Sequence, residues 1–326
     1  MPHVTVLGSL NYDLVVTTPV VPRGGETLHA SSFATHRGGK GANQALATAR
    51  AAPKSHGVKV RMVGRVGTDQ FGAVLKSGLA GDGVDVSRVG VVDGASGVAV
   101  IIVEHSGENR ILVCAGANDS WTPADITNSL LELDDGILTD VLVLQNELPL
   151  AVVHSALALA HSLDVTVAYN PSPIAASTSE ELAMQREMLR DVVYLLVNES
   201  ELQLLLGDVP AEHTTAEAML SSAMRLQHEM APKSTVIVTL GGQGVIYALP
   251  GTAPVLVPPY KPARVVDTTG AGDSFLGGFV GAVAAGKQIA DAVRWGAAAG
   301  SIAVTRAGAE ESIPFAEEII RVVSQV

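Results

Sequence analysis

A glycine-rich turn followed by an aspartate is the segment of this sequence best suited to chemistry. Residues 265–275 read Val-Val-Asp-Thr-Thr-Gly-Ala-Gly-Asp-Ser-Phe, which is typical of a strand, a tight turn and then an apolar helix. The small residues Gly270, Ala271 and Gly272 let backbone N–H groups converge at the helix N-terminus, which binds phosphate and stabilises developing negative charge. Asp273 could act only as a helix cap, but beside an anion site it can take a proton from an attacking hydroxyl. From this segment alone both roles remain open for Asp273, and the companion motifs below decide in favour of a general base.

A second glycine-rich segment, residues 37–45, reads Arg-Gly-Gly-Lys-Gly-Ala-Asn-Gln-Ala. It is not a Walker A loop, because Ala34 stands where that motif requires its first glycine and Gly41 stands where it requires Ser or Thr. The two glycines before Lys40 let a ligand approach the backbone closely, and Asn43, one turn into the predicted helix, can bind hydroxyl groups. A glycine-rich helix start of purely structural use is the alternative.

The amino-acid composition limits the kinds of molecule that the chain is expected to bind. The 326 residues are 47% hydrophobic and 17% charged with a net charge of −12, so the chain can bury a large core and offers no basic stripe for nucleic acid. An anionic substrate such as ATP must then be held by helix N-termini, a few cations and Mg²⁺. No stretch approaches the ~20 apolar residues of a membrane span, and no signal peptide is visible. The single cysteine, Cys114, fits a reducing compartment and is expected in the buried core, so we expect a cytoplasmic protein.

Near-continuous apolar runs alternate with helical patterns along most of the chain. Strands covered on both faces read in this way, so we predict an α/β fold: a mainly parallel central sheet with helices on both faces and ligands at the carboxyl ends of its strands. The predicted strands are residues 4–10, 58–66, 140–145, 165–170, 192–198 and 235–240. The predicted helices are residues 42–51, 70–81, 150–162, 179–189, 200–206, 215–230, 272–285, 289–304 and 314–323.

Two regions without a helical pattern, residues 12–36 and 96–114, interrupt this alternation. The second region reads as a hairpin with its turn at residues 105–108. We interpret both regions as one small β-structure that projects from the main sheet as a lid or dimer surface, since an exposed sheet needs a partner or a substrate to cover it. Two ordinary surface hairpins are the alternative. Because no linker divides the chain, residues 1–326 are expected to form one domain.

The two glycine-rich segments resemble the paired signatures of the ribokinase-like (PfkB) carbohydrate kinases. Residues 39–44 read Gly-Lys-Gly-Ala-Asn-Gln and residues 267–273 read Asp-Thr-Thr-Gly-Ala-Gly-Asp, in the order and at the separation of that family, and the resemblance extends over nearly the whole chain. The resemblance implies transfer of the ATP γ-phosphoryl group to a sugar, here the 5-hydroxyl of D-ribose, with Asp273 as the base. It also implies a set of residues that hold the sugar: Asn11, Asp13, Gly39, Lys40, Asn43, Glu147 and Asp273.

The same resemblance implies nucleotide and cation contacts. The residues implied to contact ATP are Asn198, Thr239, Gly241, Gly244, Gly272 and Ala297. Glu201 would organise Mg²⁺ through water, although Asn198 and Glu201 alone would simply form a capping box. The residues implied to bind an activating K⁺ ion beside the anion hole are Asp267, Thr269, Val304, Ala307, Ala309 and Ser312. Glu310 and Glu311 depart from the pattern expected there, and a helix-terminating turn at Gly308 is the structural alternative.

Other functions are compatible with these residues. A kinase of the same family acting on deoxyribose, fructose or adenosine would share the fold and Asp273. A nucleoside kinase should offer more aromatic surface for a base than Tyr12 and Phe33, which the predicted lid contains. A non-catalytic sugar sensor on the same fold is the alternative from another class. The resemblance, together with the exposed edges of the lid, implies a homodimer joined through the lid.

Overall fold

Strands and helices alternate along the chain, as the apolar runs predict. The computed structural model describes residues 1–106, 108–133, 136–174, 178–208 and 215–325. Its strands are β1 (His3–Leu7), β2 (Asn11–Thr18), β3 (Ser32–Gly38), β4 (Lys59–Gly67), β5 (Asp85–Val92), β6 (Gly97–Glu104), β7 (Asn109–Cys114), β8 (Val141–Gln145), β9 (Thr166–Asn170), β10 (Tyr194–Asn198), β11 (Thr235–Thr239), β12 (Val245–Ala248) and β13 (Val255–Val257).

The main sheet has the strand order β13-β12-β11-β10-β9-β8-β1-β4-β5. Seven strands of this sheet pair in parallel with their neighbours: β5, β4, β1, β8, β9, β10 and β11. The last two strands, β12 and β13, extend one edge of the sheet in antiparallel pairing. The prediction of a mainly parallel sheet is confirmed. The sequence reasoning missed β5, β12 and β13: β12 and β13 have only four and three residues, and β5 is a half-exposed edge strand. Such short or one-sided strands carry little of the continuous apolar signal that marks a buried parallel strand.

Helices cover both faces of the main sheet, as predicted. They are α1 (Lys40–Ala51), α2 (Gln70–Gly81), α3 (Leu150–Ser162), α4 (Ser179–Met188), α5 (Glu199–Leu206), α6 (Ala216–Glu229), α7 (Ala271–Ala284), α8 (Ile289–Ala303) and α9 (Ala316–Val323). On one face, α1, α2 and α7 to α9 form a core around Met62 and Phe279. On the other face, α3 to α6 form a second core around Tyr169 and Leu195. Within the described ranges, no helix combines the length and apolar character needed to cross a membrane.

Short 3₁₀-helices occupy several of the connections between these elements. They are Lys54–His56, Gly116–Ser120, Pro123–Asp125, Asn128–Leu130, Leu189–Asp191 and Gly241–Gln243.

A second sheet, which we call the lid, is formed by four strands in the order β3-β2-β6-β7. The pairs β2–β3 and β6–β7 are antiparallel, and β2 pairs with β6 in parallel, so the two predicted regions do form one β-structure. The register places Asp13 directly opposite His36. Part of the predicted hairpin turn, Gly107, lies outside the described residues.

Two local predictions are wrong. No strand precedes the glycine-rich turn: Val265 and Val266 are exposed, and the backbone N–H of Val266 donates to Val304 O at 2.7 Å. This β-branched pair therefore packs against the end of α8 instead of joining the sheet. Cys114 is exposed, not buried, because β7 is an edge strand of the lid and every residue in it is exposed.

Candidate active site

The first turn of α7 is shaped to receive an anion. Gly270, the N-cap, adopts a left-handed conformation with φ 73°, and no side chain caps the helix. A Cβ built on Gly272 would have no atom within 4 Å, so the backbone there faces open space. The amide of Ala271 already donates to Thr268 O at 3.3 Å. The helix dipole and the open backbone of this turn together favour negative charge in front of it.

The carboxylate of Asp273 is held by α1 instead of capping its own helix. Asn43 Nδ2 donates to Asp273 Oδ2 at 3.1 Å, and Gln44 Nε2 donates to Asp273 Oδ1 at 2.8 Å. The two helices can approach this closely because residue 277 of α7 is a glycine. A Cβ on Gly277 would lie only 2.3 Å from Ala47 Cβ of α1. Asp273 is therefore a buried carboxylate with both oxygens in hydrogen bonds, which is not the arrangement of a helix cap.

A second acidic group, Glu147, organises the beginning of α1. Its Oε2 atom accepts from Lys40 N at 3.0 Å, from Ser9 Oγ at 2.5 Å and from Asn11 Nδ2 at 3.4 Å. Asn118 Nδ2 in turn donates to Asn11 Oδ1 at 2.8 Å, which orients the Asn11 amide. The structure thus brings Asn11, Lys40 and Glu147 together, and it adds Ser9 and Asn118, which were not predicted.

The carboxylate of Asp13 lies against the glycines that precede α1. A Cβ on Gly38 would lie 2.4 Å from Asp13 Oδ2, so a larger residue there would have to displace the Asp13 carboxylate. Gly39, the N-cap of α1, has φ 90°, and a Cβ on it would lie 2.7 Å from Asn11 N. Burial, and next the charge of Glu147, raise the pKa of Asp13 to about 7, although the nearby His36 opposes this.

Lys40 is a cation surrounded by carboxylates. Burial by itself would lower the pKa of Lys40, but Asp273, Glu147 and Glu201 outweigh it and raise the pKa. The side chain therefore carries its charge wherever the protein is folded at neutral pH. It lines the same cavity as Asp273 and Glu201 and supplies a fixed positive charge there.

Two adjoining cavities meet at the first turn of α7. The larger has a volume of about 500 Å³, within the range of small-molecule sites, and its walls are mostly apolar. It is lined by five of the six residues expected to contact ATP: Thr239, Gly241, Gly244, Gly272 and Ala297. The smaller cavity is lined by the sixth, Asn198, and by Glu201, Lys40, Gly270 and Asp273. Thr239, Thr268 and Gly272 line both cavities, so the two are continuous at the predicted anion hole.

Asn198 and Glu201 form the capping box that the sequence left open as an alternative. Glu201 N donates to Asn198 Oδ1 and Asn198 N donates to Glu201 Oε2, both at 2.9 Å. The box fixes the start of α5 where β10 ends. Because both residues also line the smaller cavity, capping does not remove them from the site.

The loop after α8 is tied to the anion hole through Asp267. Asp267 Oδ1 accepts from Thr269 N at 2.9 Å and from Thr269 Oγ1 at 2.7 Å, and Oδ2 accepts from Gly308 N at 2.9 Å. Ser312 Oγ donates to Ala309 O at 2.7 Å. Of the predicted K⁺ ligands, Thr269 is thus held directly by the Asp267 carboxylate, and Ser312 and Ala309 bond each other in the loop that Gly308 joins to it. Among the described residues, no group of three or more His, Cys, Asp or Glu side chains could hold a metal ion.

The two unexpected acidic residues of this loop pair with the lid. Glu310 is buried and accepts from Arg37 Nε at 2.6 Å, with a second bond from Arg37 Nη2. Glu311 Oε1 lies 2.8 Å from His36 Nδ1. Both partners belong to β3, the strand that leads into α1. Glu310 and Glu311 therefore face the lid, and these pairs connect it to the loop.

A family model, curated relatives and a solved structure all relate this chain to carbohydrate kinases. The model of the pfkB family of carbohydrate kinases matches residues 1–316. The chain is 39% identical to the ribokinase of Schizosaccharomyces pombe, over 98% of this chain and 97% of that protein, and 35% identical to the ribokinase of Bacillus subtilis, over 99% and 100%. The solved structure of Arabidopsis thaliana ribokinase complexed with ribose and ATP is 30% identical, with a TM-score of 0.83 and coverage of 99% and 98%.

Proposed function

The chain belongs to the pfkB family of carbohydrate kinases, and from this premise we propose that it transfers the γ-phosphoryl group of ATP to the 5-hydroxyl of D-ribose. One observation carries the proposal: the buried carboxylate of Asp273 lies in the first turn of α7, where the nucleotide-sized cavity meets the acidic cluster around Lys40. A base, an anion hole and a polyol-binding cluster thus adjoin one another. The ribokinases at 35–39% identity and the ribose- and ATP-bound relative support ribose and ATP as the substrates.

In the proposed reaction, Asp273 accepts the proton of the 5-hydroxyl as that oxygen attacks the γ-phosphorus. The bond between the γ-phosphorus and its bridging oxygen breaks, and ADP leaves with that oxygen. Backbone N–H groups of Gly272 and Asp273 and the dipole of α7 stabilise the charge of the transferring group, and Lys40 adds a fixed cation. Asp273, the first turn of α7 and Lys40 line one cavity, which supports a mechanism in which the protein contributes mainly position and electrostatics.

The sugar is proposed to lie among Asn11, Asp13, Asn43 and Glu147. Ionised carboxylates accept two hydroxyl hydrogen bonds each, and the amides can donate to ring or hydroxyl oxygens. Asn43 bonds Asp273 at 3.1 Å, so a hydroxyl that takes over this donor would arrive next to the base. Asp13 belongs to β2 of the lid, which supports lid closure over the sugar and exclusion of water from the reaction.

Cations are part of the proposal. Glu201 would organise Mg²⁺ through water, because its carboxylate lines the cavity beside Asn198 and Mg²⁺ usually keeps several waters. When bound, Mg²⁺ offsets the negative charge of the ATP phosphates. K⁺ would bind among Asp267 and the carbonyl groups of Thr269, Val304, Ala307 and Ala309, together with Ser312, since oxygen ligands replace the hydration shell of K⁺. Order in this loop would support the anion hole, because Gly308 N bonds Asp267.

One contact favours a sugar over a nucleoside. The ring of Tyr12 stacks on Phe71 with centroids 4.3 Å apart, and its hydroxyl lies 3.2 Å from Thr35 Oγ1. One face of the Tyr12 ring is therefore occupied by Phe71, which leaves less aromatic surface in the lid for a base. Phe33 is 64% exposed on the lid surface.

We also propose a homodimer joined through the lid. Four apolar lid side chains are more than half exposed: Phe33 (64%), Ile111 (52%), Leu112 (66%) and Val113 (57%). Phe33 and Leu112 lie on one face of the lid and Ile111 and Val113 on the other, all of them on its two edge strands, and exposed apolar edges of this kind are normally covered by a partner. Sedimentation of the protein should give the mass of a dimer, and Leu112→Asp should shift it towards a monomer. Ile320→Asp, at a half-exposed position on α9, is the control, and a shift in both variants or in neither would contradict the proposal.

The whole chain is proposed to act as one kinase domain in the cytoplasm. β3 of the lid ends at Gly38 and α1 begins at Lys40, so the lid and the main sheet share the active-site segment between them. The single cysteine allows no intramolecular disulfide, which suits a reducing compartment that contains ATP.

The deciding experiment measures ADP release with Mg-ATP against ribose, deoxyribose, fructose and adenosine, each in K⁺ and in Na⁺. Fastest turnover of ribose, raised by K⁺, supports the sugar and cation assignments. Faster turnover of another substrate would overturn the assignment of ribose as the substrate, while the conclusion that the protein is a kinase would stand. Equal rates in K⁺ and Na⁺ overturn the cation assignment, and no ADP release with any sugar would leave a sugar sensor as the better explanation.

A further inference from the structure

Gln44 is a buried amide that none of the binding roles above uses. Its side chain is 1% exposed, and its Nε2 atom donates to Asp273 Oδ1 at 2.8 Å and to Asn170 Oδ1 at 3.3 Å. Asn170 is itself fixed, because its Nδ2 atom donates to Leu196 O at 3.0 Å. A line of hydrogen bonds therefore runs from the backbone of β10 through two buried amides to the carboxylate of Asp273.

The hydrogen bonds define which way the Gln44 amide points. In the opposite orientation, Gln44 Oε1 would face two acceptor oxygens, Asp273 Oδ1 and Asn170 Oδ1, and both contacts would be repulsive. Oε1 itself is buried and has no hydrogen-bond partner in the part of the chain that the structure describes. Donation through Nε2 is therefore the interaction that the buried amide of Gln44 contributes here.

The two donors to Asp273 differ in what else they can reach. Asn43 belongs to the proposed sugar site, so an incoming hydroxyl can compete for its bond to Oδ2. Gln44 lies outside that proposed set, and its Nε2 atom bonds the buried Asn170 as well as Oδ1. We propose that Gln44 is the positioning residue of the base: it holds Oδ1 so that Oδ2 is presented to the sugar hydroxyl. This inference rests on the proposed function, because Gln44 acts only through Asp273.

Gln44→Met tests the inference, because methionine fills a similar volume without a donor. A general base contributes about 10²- to 10⁴-fold to the rate, and Asn43 remains as one donor, so we expect kcat to fall about 10- to 100-fold. The dissociation constants of ATP and ribose, measured by calorimetry, should change less than about twofold. The matched control is Gln227→Met on α6, which also replaces a buried glutamine, one whose Nε2 donates to Pro232 O at 3.3 Å. Its kcat should stay within about twofold of the parent value.

A double-mutant cycle with Asp273→Asn separates positioning from packing. If Gln44 acts through the base, Gln44→Met should cause no further loss in the residual rate of Asp273→Asn, measured with radiolabelled ATP. A packing role would lower that residual rate by the same factor as in the parent protein. Two results would overturn the inference. One is a residual rate of Asp273→Asn that Gln44→Met lowers by this same factor, and the other is a kcat of Gln44→Met within about twofold of the parent value. Should Gln44→Met not fold, Gln44→Asn carries the same test, because its amide is one methylene too short to reach Asp273.

The ribose assignment and the role of Gln44 can fail separately. If the parent protein phosphorylates another sugar faster than ribose, the same cycle is measured with that sugar. If Gln44→Met lowers kcat for that sugar in the parent protein but not in Asp273→Asn, the positioning role of Gln44 is supported although the ribose assignment is wrong. Normal activity of Gln44→Met with the preferred sugar overturns the inference and leaves the proposed kinase intact. Absence of turnover with every sugar overturns both.

Discussion

Replacing Asp13 by Asn should change how the free energy of unfolding depends on pH. The Asp13 carboxyl is 9% exposed, and burial, then Glu147, raise its pKa from 3.8 to about 7, against the lowering effect of His36. As pH rises, the unfolded chain therefore loses this proton before the folded protein does. Folding then binds a proton between about pH 4 and pH 7, so this group makes the protein progressively less stable across that window.

The magnitude follows from the two pKa values. One pKa unit corresponds to about 1.36 kcal/mol, so a rise from 3.8 to about 7 costs about 4 kcal/mol when the group is ionised in both states. About 3 kcal/mol of this should appear between pH 5 and pH 8. Asn cannot ionise, so the Asp13→Asn variant should not show that loss and should exceed the parent in stability at pH 8.

Urea denaturation of both proteins at pH 5, 6, 7 and 8 measures the effect. The difference in unfolding free energy between the variant and the parent should grow by about 3 kcal/mol over this range. Asp93→Asn makes the same substitution at an exposed surface position and is the control. Parallel pH curves for Asp13→Asn and the parent would refute the raised pKa and, with it, the account of Asp13 as a buried carboxyl facing Glu147.

Other measurements separate binding, chemistry and stability. Asp273→Asn should lower kcat by about 10³-fold while calorimetric affinities for ATP and ribose stay nearly constant; a near-normal kcat would remove the base assignment. Gly272→Ala places a methyl group in open space, so the melting temperature should hold while kcat/KM for ATP falls at least about tenfold; unchanged kinetics would argue against the anion hole. Arg37→Met leaves the buried Glu310 carboxylate unpaired and should cost about 2–4 kcal/mol in urea denaturation, most of it recovered in Arg37→Met/Glu310→Gln, whereas no recovery would point to lost packing. KM for ribose should rise as pH falls below about 7, because Asp13 then gains a proton and loses an acceptor for sugar hydroxyls; a KM independent of pH would contradict that contact.

The sequence predicted the bounds of an element well where a residue at its end determines where the element begins. The helix at residues 70–81 has its predicted bounds, because Asp69 caps it with a bond from Gly72 N. The helix at residues 150–162 likewise begins directly after Pro149. The strand expected at Val265 and Val266 failed because β-branched composition describes what a strand tolerates, whereas pairing depends on which backbone lies alongside. Here that backbone belongs to the end of α8.

The site shows the same division between local and long-range causes. Residues inside the glycine-rich segments could be proposed from the sequence because turn, helix start and acidic side chain occur within a few positions. Ser9 and Asn118 were missed, since each is a single polar residue whose role comes from partners more than a hundred positions away. The pairs from His36 and Arg37 to the loop after α8 span more than 270 positions and also had no sequence signal. Gln44 had one available signal, its place beside Asn43 in the same motif.

The acidic surroundings of Lys40 suggest how the proposed kinase would limit reaction of ATP with water. Asp273, Glu147 and Glu201 together raise the pKa of Lys40, so negative charge exceeds positive charge around it before any substrate binds. A γ-phosphate near α7 then meets an attractive helix terminus on one side and uncompensated carboxylates on the other. A sugar bound as proposed would change this balance, because its hydroxyls would donate to the carboxylates and one of them would supply the attacking oxygen. The molecule that accepts the phosphoryl group would thus also lower the repulsion against that group.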